Sequence, residues 1–360
     1  MHYIILVLFF ALLAGKRKAG NVAFVFYMVT LILFAFFTRE GSTDYSGYVE
    51  YYKCSISLGC DSTGFEKSFS YVSQISNFVT VAWGLELTFL FYIVAGLSLK
   101  VYLIKNQSQA FGAAMLAFVC QAYFVHDLTQ IRASLAIAIL WYAYFFWTQQ
   151  KIVRACLFIV LASIFHVSAL MGFFIVFIKR ISTRFLLILI IPAALTGQFL
   201  ANGGITSIPG LSIERLDIYI SALGSIGLVS SQFNVYVVAI TVVAFLGYKN
   251  GLEEWTDFEL LGINSMLFGV ILYLSFYFVP IVPVRLLELF SCLYPFVVAA
   301  TYNSSRSKMV KVSLVLLFIG LFVNTAIRNN TRFDLVFPWQ AIHIEYMTDL
   351  QQEQFIRMSK

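Results

Sequence analysis

Long apolar runs, broken by short polar and basic turns, set the pattern of this 360-residue chain. The runs show no period-two alternation, so they predict helices and not the strands of a barrel. Helices are expected at about 2–15, 21–37, 85–103, 109–125, 133–148, 152–165, 167–179, 185–200, 233–248, 258–279, 286–302 and 310–327. A crossing needs about 20 residues, and 152–165 and 167–179 fall short of that. These two meet at Phe165-His166-Val167-Ser168. Basic residues flank the pair on both sides (Lys151 and Arg154 before, Lys179, Arg180 and Arg184 after), so it is expected to start and end inside. Either the membrane is thinned there or the two helices turn back within it. A break at such depth survives only where protein buries it or it lines a wet cavity.

Composition fixes the class. The chain is 60% hydrophobic and 12% charged, where soluble domains run near about a quarter charged. It therefore reads as an all-α polytopic membrane protein. The net charge of +6 does not indicate nucleic acid, because the basic residues sit mostly in turns between apolar runs. Lys16-Arg17-Lys18, Lys100 with Lys105, Lys151 with Arg154, Lys179-Arg180 with Arg184, Lys249, and Arg306, Lys308 and Lys311 mark cytoplasmic sides. About twelve crossing or re-entrant helices then leave both termini outside. The first run, Tyr3 to Ala14, has basic residues after it and none before, the reverse of a cleavable signal. One membrane domain, 1–360, is expected, with outer segments at about 38–84, 201–232 and 328–360. Of the five cysteines, Cys120, Cys156 and Cys292 lie in apolar runs as small core residues. Cys54 and Cys60 share one polar loop, where an oxidising compartment would allow a local disulfide.

Candidate chemistry gathers on the outer side. Arg39, Arg132 and Arg285 stand at outer span ends, against the positive-inside bias. Guanidinium groups match phosphate oxygens bidentately, which suits a lipid-linked pyrophosphate; snorkelling to headgroups is the plain alternative for each. Between Thr38 and Tyr52 the chain adds Asp44, Tyr45, Tyr48, Tyr51 and Tyr52. The tyrosines suit sugar faces and equally an aromatic belt. In the polar run His126–Arg132, Gln130 and Arg132 flank a helix start, which favours an anion; a plain turn also fits. His166, at the break, is a candidate general base, or else a buried cap of that break. Asp44 is its rival, and Glu214, Asp217 and Glu288 are weaker ones. Ser168, Glu214 and Glu288 join Tyr45, Tyr48 and Gln130 as candidate substrate contacts. No Walker loop, dinucleotide fingerprint or zinc motif occurs, so no cofactor is expected; with no tight acidic cluster, neither is a metal.

Three motifs fall in order: Arg39-x4-Asp44-Tyr45-x2-Tyr48 after a span, Gln130-Ile-Arg132-Ala-Ser-Leu-Ala, and Phe165-His166-x-Ser168-Ala-Leu. Together they resemble the EpsG-like branch of Wzy-type polysaccharide polymerases. The likeness covers about residues 30–180, and the second half agrees mainly in hydropathy and in Arg285. The resemblance implies a metal-independent glycosyltransferase of the bacterial inner membrane, acting on its outer face to build O-antigen, capsule or exopolysaccharide. A growing glycan would pass from undecaprenyl pyrophosphate to the non-reducing end of a new lipid-linked repeat unit. It also implies Arg39, Arg132 and Arg285 on pyrophosphate, His166 or Asp44 on the acceptor proton, and a chain-length-determining partner protein. Two other readings stand beside it. One is a transferase using a phosphate-linked lipid sugar, with Glu40 and Asp44 holding a divalent cation. The other is a glycan-lipid flippase or transporter, which would want charges at mid-membrane depth along several helices.

Overall fold

The computed structural model describes residues 2–57, 66–201, 234–279 and 282–329, apart from positions 14, 17, 19 and 43. Cys60, Glu214, Asp217, residues 202–233 and the tail from 330 lie outside them.

The described chain runs through α1 (His2–Leu12), α2 (Asn21–Thr38), α3 (Tyr45–Ile56), α4 (Lys67–Val79), α5 (Gly84–Gln107), α6 (Phe111–Phe118), α7 (Ile131–Thr148), α8 (Ile152–Phe165), α9 (Ile175–Ile178) and α10 (Thr183–Phe199). After the undescribed stretch come α11 (Val235–Lys249), α12 (Asp257–Phe276), α13 (Val282–Phe290), α14 (Tyr294–Ser304) and α15 (Lys308–Asn329). Among the described residues no strand occurs. Among the described residues, four helical stretches are long and apolar enough to cross a membrane: Asn21–Gly41, α5, α7 and α12. The pair α13 and α14 makes a fifth if counted as one span. The chain is an all-α integral membrane protein. Length alone supports four or five of the expected dozen crossings, because α8, Val167–Ile178, α10 and α11 are apolar but short.

The buried centre is formed by α5, α6, α7, α12 and α14. Trp141 of α7 is fully buried, with its ring 6.3 Å from Phe118 and 5.1 Å from Phe296. On the outside, α2, α8 and α10 leave Val22, Phe26, Leu157, Ile188 and Ile191 exposed, as helices facing lipid do. Close crossings use glycine. A Cβ on Gly197 of α10 would stand 1.9 Å from the backbone carbonyl oxygen of Leu274 in α12. The two helices meet with backbone against backbone.

Three expectations are corrected. The run 109–125 is not one α-helix: α6 stops at Phe118 and passes into a π-helical segment, Val119–Asp127. The cause lies far along the chain. The Tyr294 hydroxyl accepts from the Ala122 N–H at 2.9 Å and donates to the Ala117 carbonyl at 2.8 Å, so it wedges into the helix ladder. The run 286–302 is likewise two helices, α13 and α14, bent by 50°; Arg285 therefore sits inside the first of them. Third, Lys100 is no cytoplasmic marker. It is fully buried, with Nζ 2.9 Å from both carboxylate oxygens of Asp127 and 2.8 Å from Ser134 Oγ. Lys105, one helix turn further, does reach the polar end of α2 at Asn21, 2.7 Å away.

The short pair folds back on itself. α8 climbs 14 residues from Lys151, about 21 Å at the helical rise. The chain reverses at His166 and returns as a 3-10 helix, Val167–Phe174, continued by α9. The returning stretch covers about 22 Å, packs against α8, and ends at Lys179, 3.7 Å from Asp257 at the start of α12.

Candidate active site

Glu66 is the hinge of the site. It stands just before α4, which buries Ser68, Phe69, Ser73 and Ser76 and packs on α5 and α8. Phe69 stacks on Tyr92 of α5 at 5.8 Å, and Gln74 Nε2 donates to the Ser55 carbonyl of α3 at 3.1 Å. With α4 held in this way, the Glu66 carboxylate reaches two elements at once. One oxygen takes the guanidinium of Arg132, in the first turn of α7. The other lies 2.8 Å from His166 Nδ1 and 3.4 Å from the Val167 N–H, at the break after α8. Burial pushes the Glu66 carboxyl up, but the His166 hydrogen bond and the Arg132 charge together hold it below the usual carboxylate range. The Arg132 guanidinium also lies 5.5 Å from the centre of the Tyr48 ring.

A small cavity of about 20 Å³ opens beside this cluster, lined by His126, Gln130, His166, Ser168, Arg285 and Glu288 over an apolar floor that includes Ala133, Ile137 and Leu140. Arg285 of α13 donates to Gln130 Oε1 and lies 3.4 Å from Glu288 Oε2. A second cavity, also of about 20 Å³, shares His126, Ile137 and Glu288 and continues past Trp141, Tyr236 and Tyr294. His126 thus borders both cavities. It is 7% exposed, and its Nδ1 makes no hydrogen bond within normal distance and angle among the described residues. The π-helical segment carries it, and that segment ends in Asp127, clamped to α5 by Lys100 and to α7 by Ser134. Among the described residues no group of three His, Cys, Asp or Glu side chains is placed to hold a metal ion.

A protein-family model matches residues 21–341 of the chain, and its family is EpsG. The chain belongs to the EpsG family. That membership makes it a membrane protein of polysaccharide-polymerase type. The match also takes in the second half, where the sequence agreed mainly in hydropathy and in Arg285. No curated protein and no solved structure matches the chain.

In this EpsG-family chain, Gln130, His166, Ser168, Arg285 and Glu288 come together around one cavity. Arg132 joins them through Glu66. Arg39 does not line that cavity. Its guanidinium is buried at the end of α2, 3.7 Å from both Glu40 and Glu86, donates to the Phe36 carbonyl at 2.7 Å, and lies over the Phe36 ring. Asp44 is exposed at the start of α3. Tyr45 lies against Phe89 at 5.4 Å, and Tyr48, 4% exposed, packs between Phe69 and Phe89. Tyr52 is buried too; burial and then the Glu86 carboxylate push its phenol up to about 12. The rings of Tyr48 and Tyr52 thus belong to the packing of the outer segment. Cys54 is disulfide-bonded, while Cys60 and Glu214 lie outside the described residues.

Sequence reasoning missed two residues. Glu66 is a lone carboxylate at the head of an amphipathic run, and only its position before that run could have marked it. His126 stood in the polar run ahead of Arg132, with nothing to separate it from a turn residue.

Proposed function

We propose that this EpsG-family protein polymerises lipid-pyrophosphate-linked oligosaccharide repeat units on the outer face of a bacterial inner membrane. The observation that supports this reading is the cavity that gathers Arg285, Gln130, Glu288, Ser168 and His166, with Arg132 tied to His166 by Glu66. A sugar transfer of this kind needs three things: a cation for the leaving pyrophosphate, a base for the acceptor hydroxyl, and polar groups that orient the sugar. Arg285 and Arg132 meet the first need. Gln130 and Glu288 hold the Arg285 guanidinium in place, and an arriving phosphate competes for the same donors. His166 meets the second. The acceptor oxygen attacks the anomeric carbon, the bond from that carbon to the pyrophosphate oxygen breaks, and the hydroxyl proton passes to His166. The lipid pyrophosphate leaves with its charge balanced by the arginines. Ser168 and Gln130 are placed for hydroxyl contacts. Asp44, exposed and not in the cavity lining, is the weaker base, and Arg39 is engaged with two carboxylates.

The transport reading wants charges along a path. Among the described residues, the fully buried pair Lys100–Asp127 is closed on itself and lines neither cavity. The surface glycan of a deletion strain distinguishes the two. Polymerase function predicts loss of long chains while single repeat units still reach the surface. Loss of single units as well would point to transport, and an unchanged ladder would sink both. Arg285→Ala and Arg132→Ala should each reproduce the single-unit pattern, and normal long chains from both would remove the arginines from the mechanism.

A further inference from the structure

We infer that Glu66 is a positioning residue that sets the tautomer of His166. Its carboxylate holds the proton of the neutral imidazole on Nδ1, so that Nε2 is the nitrogen left to accept the hydroxyl proton. The inference rests on the polymerase reading for its chemistry but makes a claim about the imidazole that can be read without turnover.

The donor count carries it. Three donors converge on the two Glu66 oxygens: Arg132 on one, His166 Nδ1 and the Val167 N–H on the other. An ionised carboxylate only accepts. Every group facing it must therefore donate, and His166 can donate at Nδ1 only if the proton is there. A neutral imidazole with Nδ1–H has its lone pair on Nε2. The ring lines the cavity that also holds Arg285 and Ser168, so that lone pair belongs to the ring of the proposed base. When Nε2 takes the hydroxyl proton, the imidazolium faces a carboxylate that stays ionised and balances its charge, the role a carboxylate takes behind a catalytic histidine elsewhere. The second oxygen adds a coupling. By holding Arg132, it fixes the proton acceptor and the proposed pyrophosphate-binding cation relative to each other, from the start of α7 to the break after α8.

Glutamine at this position separates charge from shape. Its amide has one acceptor oxygen, which Arg132 claims. The amide N–H₂ then faces His166 and the Val167 N–H, so Nδ1 must accept and the proton moves to Nε2, closing the base.

The test uses the full-length protein in detergent with ¹⁵N-labelled histidine. The chain has 4 histidines, and His166→Gln assigns the signal. Two-bond ¹H–¹⁵N correlation should show the Nδ1–H tautomer in the wild type and the Nε2–H tautomer in Glu66→Gln. In parallel, lipid-linked repeat unit extracted from the deletion strain is supplied to the purified protein. Glu66→Gln should lower kcat by about 100-fold, the scale of general-base catalysis, with KM within about twofold. Glu66→Asp, which keeps the charge, should recover part of kcat. An Nε2–H tautomer in the wild type overturns the inference even if Glu66→Gln fails to fold. So does an unchanged tautomer, or an unchanged kcat, in a folded Glu66→Gln. A wild-type protein that shows the Nδ1–H tautomer but elongates nothing overturns the polymerase reading and leaves the positioning of His166 standing.

Discussion

Lys100 reads in the sequence as one more basic residue near a turn, yet it is fully buried against Asp127 and Ser134. Taking such a pair out of water is costly, and the mutual attraction with full hydrogen bonding roughly offsets that cost. Removing one partner leaves the other as a bare buried charge. Lys100→Met should therefore destabilise the protein by about 3–5 kcal/mol, seen as a lowered unfolding midpoint in detergent. The double variant Lys100→Met with Asp127→Leu should recover most of that loss; no recovery would mean the pair is not what holds the π-helical segment. Glu66 gives a second, pH-dependent expectation. Its folded pKa lies below the ordinary 4.5, so the unfolded chain binds its proton first as the pH falls. The stability that Glu66 contributes is complete above about 4.5 and is lost as the pH drops through the lower folded value. Glu66→Gln should flatten that acid limb in unfolding curves taken across this window. An acid limb identical to the wild type would show that the carboxylate is not held by Arg132 and His166.

At the scale of elements, the apolar runs announced most helices to within a few residues, because a lipid-facing helix writes its length directly into hydropathy. Ile152–Phe165 is an example. The irregular places were not legible in that way. The π-helical segment depends on a hydroxyl from Tyr294, 172 positions beyond Ala122, and hydropathy carries no record of such a partner. The bend between α13 and α14 hides inside a continuous apolar run for the same reason. Tyr294→Phe deletes the wedge and leaves the Ala122 N–H and Ala117 carbonyl unpaired unless the segment rewinds. The expected cost is about 1–3 kcal/mol, with lowered polymer length as His126 and Asp127 lose their register. Wild-type stability and ladder from this variant would remove the wedge as the cause of the π-helix. Gly197 makes a backbone prediction. A methyl there meets the Leu274 carbonyl, an atom that cannot rotate away, so Gly197→Ala should force α10 off α12 and cost about 1–3 kcal/mol. An unchanged midpoint would place the two helices further apart than described.

For the molecule as a whole, the polar residues that line the cavity stood out in the sequence, and the contacts that packing adds to them did not. Gln130, His166, Ser168, Arg285 and Glu288 carry unusual polarity into apolar surroundings, and they meet around one cavity. Arg39 carries the same signal but is engaged by Glu40 and Glu86, since a charge at a span end says nothing about its neighbours from other helices. Glu66 enters the cluster only because α4 docks on α5 and α8. The shortness of α8 and of the stretch returning from His166 has a further consequence for the lipid. Runs of about 21–22 Å beside a hydrocarbon layer of about 30 Å leave a hydrophobic mismatch, which a bilayer relieves by thinning next to the protein. The leaflet would then dip beside His166, and a sugar carried on a lipid headgroup would be lowered toward the cavity instead of the protein having to reach up for it. Activity in vesicles should accordingly fall as the acyl chains lengthen and the dip becomes harder to form, with substrate concentration and headgroup held constant.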